Sequence, residues 1–215
     1  MCIRDSNGIV TLYDVYETDS SICLILKLLT KGELFDWMMS NKLNESQVRS
    51  LMREILQSVC YLHSLNIIHR DIKAENILLD DKLHPHLSDF GLATKTNDTM
   101  YHYEVYGTPS YMAPEMVQCA VDHDHVGYGK PVDLWSCGVL MYQLIFGRRP
   151  FDHRKQLIML RSIRNADYSF PYTEWNHISE SAKDLIRKLL VVNPSNRLTA
   201  KQALQHTFFN EGEIM

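Results

Sequence analysis

From residue 132 to residue 146 the chain is apolar on nearly every side, and a helix of that kind has to be surrounded by other elements. This segment constrains the architecture more than any other. Gly147 follows it and Pro150 comes soon after, the usual order for ending a helix. Two amphipathic segments can supply cover. In one, Val48, Leu51, Met52, Ile55, Leu56, Val59 and Leu62 recur at three- and four-residue steps, the period of a half-buried helix. Asn44 with Gln47 has the pattern of its capping box. In the other, Ala182, Leu185, Ile186, Leu189 and Leu190 repeat the period before Asn193 and Pro194 stop it. Thr199 and Gln202 open a last short helix through a second box of the same kind.

Ahead of this helical part, residues 9–15 and 22–29 are short, partly β-branched runs with a polar stretch between them. They predict two antiparallel strands joined by a turn, the second ended by Gly32. Between residues 67 and 91 short apolar pieces alternate with charged and polar loops. That pattern predicts small strands whose loops present functional groups. The 215 residues suffice for one domain, or one and a half, with a real core. The expected class is α+β, a small strand portion followed by a mostly helical body.

The formal net charge is -4 and no lysine/arginine block stands out, so nucleic acid is not favoured as a partner. Five cysteines, an odd set with no C-x-x-C pair, argue against a disulfide framework or a thiolate zinc site. They fit a reducing, cytoplasmic setting. No apolar run is long enough to cross a bilayer, and no secretory signal opens the chain. Asp122, His123, Asp124 and His125 read as a solvated loop, since alternate residues of an extended segment point apart. The first six residues, from Met1 to Ser6, differ in character from the rest of the chain. They resemble the translation of a transposase adapter used in sequencing libraries and are set aside as an artefact.

Phosphoryl transfer to a hydroxyl needs a carboxylate to orient the nucleophile and take its proton. It also needs a divalent metal on hard oxygen ligands to neutralise phosphate charge. Such groups gather in a short span: His69-Arg70-Asp71, then Lys73 and Asn76, then Asp89-Phe90-Gly91, and later Ala113-Pro114-Glu115. Each triplet alone is weak, and their order and context make them strong. Together they resemble the signature set of the eukaryotic protein kinases, from Gly8 to about Phe209.

The resemblance implies a kinase-like fold: a two-strand remnant of the N-lobe with the hinge over residues 7–30, a helical C-lobe over 31–210, and a tail over 211–215. It implies ATP and Mg2+ as cofactors. Asp71 would be the catalytic base and Lys73 would stabilise charge on the transferred group, while Asn76 and Asp89 would hold magnesium. On the nucleotide side, Leu26 matches the gatekeeper. The backbone of Lys27 and Leu29 would bond the adenine edge, and Leu78 would pack under the base. Glu33 and Glu75 would reach ribose or a basic side chain of the substrate. His69 and Phe90 would stack in an internal column with Leu12. Glu115 and Arg197 match a buried ion pair, Asp133 matches the group that holds the catalytic-loop backbone, and Thr108 favours serine/threonine substrates by bonding Asp71 and Lys73. Glu104 would pair with Arg70, supplying in permanent form the charge that many kinases obtain by phosphorylation.

The long segment 118–138 with Gly127-Tyr128-Gly129-Lys130, and the run of residues 151–156, resemble the family of catalytic (gamma) subunits of phosphorylase kinase. That likeness implies phosphorylation of a serine on glycogen phosphorylase, with calmodulin and two large regulatory subunits as partners. Ala74, Ile72 and Lys27 depart from common kinase residues and bear on the subfamily more than on the reaction. No G-x-G-x-x-G and no V-A-I-K occurs. The 215 residues alone are therefore expected to have little activity. Another calcium/calmodulin-type kinase, or a short pseudokinase serving as a binding module, are the alternatives.

Overall fold

The structure is a computed structural model, which describes residues 8–97, 101–122, 125–170 and 177–210. The first six residues, and with them the adapter reading, lie outside the described residues, as do His123 and Asp124.

The apolar segment becomes helix α4, Pro131–Phe146, with Gly147 at φ 66 closing it in the left-handed conformation. Its residues from Val132 to Leu144 are all buried. Helix α2, Glu45–Ser64, covers one side with Val48, Leu51, Met52, Ile55, Leu56, Val59 and Leu62 turned inward. The Asn44–Gln47 capping box is formed in full, satisfying two backbone donors that a helix start leaves open. Helix α6, Glu180–Leu189, covers another side through Ala182, Leu185, Ile186 and Leu189. It approaches so closely that a Cβ on Gly138 of α4 would lie 2.9 Å from Leu189 Cβ. Helix α7, Ala200–Leu204, opens with the Thr199–Gln202 box.

Strands β1, Leu12–Glu17, and β2, Ile22–Leu26, form an antiparallel pair. β1 starts later than the hydrophobic run implied. Ile9 and Val10 instead lie along the edge of the hairpin that follows, with Val10 N–H donating to Leu87 O at 2.9 Å. Gly32 does not merely end the second run. It opens a two-residue strand β3, Gly32–Glu33, paired with β5, Ile77–Leu79, which pairs in turn with β6, Pro85–Leu87. The last small pair joins β4, Ile67–Ile68, to β7, Thr94–Lys95. Three helices had no clear signal in the sequence: α1, Leu34–Ser40, α3, Pro114–Cys119, and α5, Gln156–Asn165. The first two are seven and six residues long, too short for a repeating apolar period. No helix among the described residues is long and apolar enough to cross a membrane.

Candidate active site

The loop after β4 is pinned at both ends by apolar anchors. Ile68 and Ile72 are fully buried, and between them His69, Arg70 and Asp71 are held by polar bonds. Arg70 sits at φ 69, a left-handed conformation that costs a non-glycine residue about 1–2 kcal/mol. Asp133, on the first turn of α4, makes that conformation tenable. Its Oδ1 accepts the Arg70 N–H and its Oδ2 the His69 N–H, both at 2.9 Å. Nε2 of His63, from the end of α2, lies 2.9 Å from Oδ2. Burial pushes the Asp133 carboxyl up, but His63 and the His69 amide outweigh it and hold the group below its ordinary value.

Asp71 is 7% exposed, and four donors surround its carboxylate. Oδ1 accepts the Thr108 N–H at 3.0 Å and the Thr108 hydroxyl at 2.9 Å. Oδ2 faces Lys73 Nζ and Asn76 Nδ2, each at 2.8 Å. Lys73 Nζ also donates to Thr108 Oγ1 at 2.8 Å. Burial again raises the carboxyl, and the bonds from Lys73, Thr108 and Asn76 more than reverse the effect. Asp71 is therefore ionised near neutral pH, with all four of its lone-pair directions engaged. Asn76 spends its Nδ2 on the Asp71 backbone oxygen and carboxylate, which leaves Oδ1 as its acceptor.

Ser88 ties this loop to the next. It donates its N–H and its hydroxyl to Asn76 O, each at 2.9 Å, and its own carbonyl lies 3.0 Å from His69 Nε2. Phe90 packs edge-on to His69 with ring centroids 4.9 Å apart. Between them Asp89 stands exposed at φ 54, its Oδ1 accepting the Gly91 N–H at 3.2 Å. The carboxylate and the Asn76 amide oxygen are hard donors of the kind magnesium takes.

On the strand side, Leu26 is 46% exposed at the end of β2, Lys27 is half-buried and Leu29 is buried. Lys27 N–H donates to Thr11 O at 2.8 Å, so only its carbonyl is left for another partner. The Leu78 side chain is half-buried on β5, opposite Glu33 on β3. Glu75 Oε2 is buried and has no hydrogen-bond partner among the described residues.

The loop carrying Thr108 is held from below. Gly107 has φ +104, and a Cβ there would lie 2.5 Å from Arg70 O, so this close approach requires glycine. Glu104 is exposed, and no ion pair joins it to Arg70 among the described residues. The Arg70 guanidinium instead donates to Leu92 O at 2.6 Å and to Tyr128 Oη at 3.2 Å, and lies over the Tyr106 ring. Tyr128 Oη in turn donates to Glu104 O at 2.5 Å. Backbone N–H groups lower the Glu104 carboxyl first, with the Arg70 charge a smaller influence. Tyr128 and His63 are thus site-supporting residues that sequence reasoning missed. Only the unusual length of segment 118–138 and its Gly127-Tyr128-Gly129-Lys130 run pointed towards the first. His125 is no free loop residue, since its Nδ1 lies 3.3 Å from Cys119 Sγ and accepts the Gly127 N–H. No group of three or more metal-ligating side chains occurs among the described residues. Further out, Glu115 and Arg197 meet in a buried bidentate pair at 2.7 and 3.0 Å.

The protein kinase domain family profile matches residues 2–209. The mouse phosphorylase b kinase gamma catalytic chain, liver/testis isoform, is 50% identical over 206 residues, covering 95% of this chain and 51% of that protein. The probable serine/threonine-protein kinase fhkC of Dictyostelium discoideum is 40% identical over 96% of this chain and 35% of its own length. The calcium/calmodulin-dependent protein kinase cmkB of Emericella nidulans is 40% identical over 94% of this chain and 50% of its own length. The chain spans about half the length of the phosphorylase b kinase relatives it matches.

Proposed function

The chain belongs to the protein kinase domain family, and from that premise we propose that it carries the phosphoryl-transfer site of a protein serine/threonine kinase of the phosphorylase kinase catalytic type. Its protein substrate is then a serine of glycogen phosphorylase. The observation that carries the reading is the shared hydrogen-bond set of Asp71, Lys73, Asn76 and Thr108.

In this reading a substrate hydroxyl enters by displacing the Thr108 hydroxyl from Asp71 Oδ1, while Thr108 keeps its bond to Lys73. Asp71, already ionised, would accept the proton as the hydroxyl oxygen bonds to the terminal phosphorus of ATP and the phosphorus–oxygen bond to the leaving ADP breaks. Lys73 holds positive charge beside the point where the phosphoryl group is transferred, a large effect where water is excluded. Asn76 Oδ1 and the Asp89 carboxylate would hold magnesium, which when bound neutralises charge on the phosphates of ATP. The Lys27 carbonyl and Leu29 N–H would bind the adenine edge, with Leu26 and Leu78 packing against it and Glu33 reaching ribose. The unpartnered Glu75 Oε2 suits a basic side chain of the substrate, since a buried orphan acceptor is costly. Arg70 and Glu104 order the substrate loop through Tyr128 and not through a direct pair. Calmodulin, large regulatory subunits and a cytoplasmic location belong to the whole protein.

The higher identity to phosphorylase b kinase chains than to the other kinases favours the phosphorylase substrate. The likeness to a calcium/calmodulin-dependent kinase supports a second reading that differs only in substrate and partners. Radiolabel transfer by the full-length protein separates them. Preference for phosphorylase over a panel of calmodulin-kinase peptides is expected, and the reverse preference selects the second reading.

A further inference from the structure

Where the end of α2 meets the starts of α4 and α7, the surface opens into a groove of about 540 Å³, a size usual for small-molecule sites. Its walls are mainly apolar. Cys60 comes from α2, Pro131 and Leu134 from α4, and Pro194, Leu198 and Ala200 from the turn before α7 and its first residue. None of the lining residues is acidic, although the whole chain carries a net charge of -4. The basic groups are His63, Lys130, Arg197 and Lys201.

Two of these four are spent within the fold. Arg197 is bound to Glu115 and to Pro131 O, and Lys130 Nζ donates to Asn66 Oδ1 at 2.7 Å. Lys201 is exposed and makes no such bond among the described residues. His63 is half spent. Its Nε2 lies 2.9 Å from Asp133 Oδ2, while Nδ1 has no partner among the described residues and is not sealed from solvent. A histidine ring so placed can donate from Nε2 to Asp133 and from Nδ1 to an anion in the groove. Asp133 Oδ2 is also the oxygen that accepts the His69 N–H. Two hydrogen bonds in series therefore lead from the groove into the loop that carries Asp71.

We propose that this groove is a binding site for a small organic carboxylate with an apolar body, the carboxylate lying between Lys201 and His63. The apolar body covers Leu134, Leu198 and Ala200. Such a monoanion suits the lining better than inorganic phosphate, whose greater charge would face apolar walls with only two uncommitted donors. A bond at Nδ1 fixes the His63 ring against Asp133, because the partner of one imidazole nitrogen sets the orientation of the other. Occupancy thereby braces the bend at Arg70, whose N–H Asp133 Oδ1 accepts. The site goes beyond the kinase reading and does not depend on it.

The test is calorimetric titration of the full-length protein with 2-naphthylacetate, beside the neutral 2-naphthylacetamide. The acid is expected to bind about tenfold more tightly than the amide, equivalent to about 1.4 kcal/mol, and added salt should narrow the gap. Lys201→Glu should erase that preference. Ser195→Trp, which fills the groove from its exposed rim, should weaken both compounds. Neither residue belongs to the Asp71 set, so phosphoryl transfer without the probe should be unchanged in both variants. Hydrogen exchange over residues 66–72 should slow when the acid is bound, which reads the route through His63 and Asp133. No binding to the natural protein overturns the proposal, as does equal affinity for acid and amide. Binding that survives Ser195→Trp, or that ATP competes away, places the probe elsewhere and overturns it too. Unchanged exchange over residues 66–72 at saturation also overturns it. A dimer by light scattering that Ser195→Trp dissociates, in place of probe binding, overturns it and makes the groove a contact between copies.

Discussion

Asp71 and Asp133 are both buried acids held ionised, one to take a proton and one to hold a backbone. For Asp71, replacing the carboxylate by an amide keeps its size and removes its basicity. Asp71→Asn in the full-length protein should lower kcat by about 10²–10⁴-fold, with ATP affinity nearly unchanged. A loss confined to KM would remove Asp71 from the proton-transfer role. For Asp133, the folded carboxyl lies below its ordinary value of 3.8. A depressed acid contributes stability that is fully present above the unfolded value and is lost as pH falls through the folded one. The stability gap between the natural protein and Asp133→Asn should therefore be widest above pH 3.8 and close on further acidification. Denaturant unfolding across pH measures it, and a gap that grows on acidification would reverse the assignment. The motif His69-Arg70-Asp71 was legible as a string. That Asp133, over sixty residues away, holds the string in a left-handed bend was legible only by resemblance, because no local pattern encodes such a partner.

At the scale of elements, α4 is the fixed reference on which the others are set. Its apolar surround, both capping boxes and the Gly147 stop were all readable, since each follows from a short-range rule of spacing. Helices α1, α3 and α5 were not, because their ends and faces depend on what they pack against. The Glu115–Arg197 pair shows how such a short helix is secured. Arg197 is fully enclosed and binds Pro131 O and Val191 O as well as the Glu115 carboxylate, joining α3 to the start of α4. Removing one partner leaves a buried charge alone, at a cost of about 3–5 kcal/mol. Glu115→Gln should thus lower unfolding stability by several-fold more than substitution of an exposed acid such as Asp81→Asn. The double variant Glu115→Gln, Arg197→Met should recover part of the loss. Equal small losses in all three would show the pair to be solvated. Because the pair also braces the loop holding Thr108, kcat should fall in Glu115→Gln even where the protein remains folded.

For the whole molecule, the β1–β2 pair is dense in exposed apolar side chains. Ile22 is 68% exposed and Leu24 56% on one face of the β1–β2 pair, and Tyr16 57% and Ile25 46% on the other, so the pair shows apolar groups on both faces, with Leu28 at 81% just beyond it. Patches of that kind bind partners or aggregate, and open strand edges add to the hazard. These 215 residues in isolation should bind a hydrophobic dye and scatter light as concentration rises, and Ile22→Thr with Leu28→Thr should reduce both. A monodisperse, dye-silent chain would mean that the strands fold back onto the helical body. Sequence by itself determined the α+β class, the buried helix and its two amphipathic neighbours, and the order of the polar triplets. All are encoded by composition and spacing within a turn or two of chain, where local rules act. Only the tertiary structure decided that Arg70 turns to Tyr128 and Leu92 and not to Glu104. The same holds for the saturation of Asp71 by four donors, and for the groove lined by His63 at the end of α2. Those outcomes depend on which distant side chains arrive within hydrogen-bond reach, and packing of the whole chain sets that.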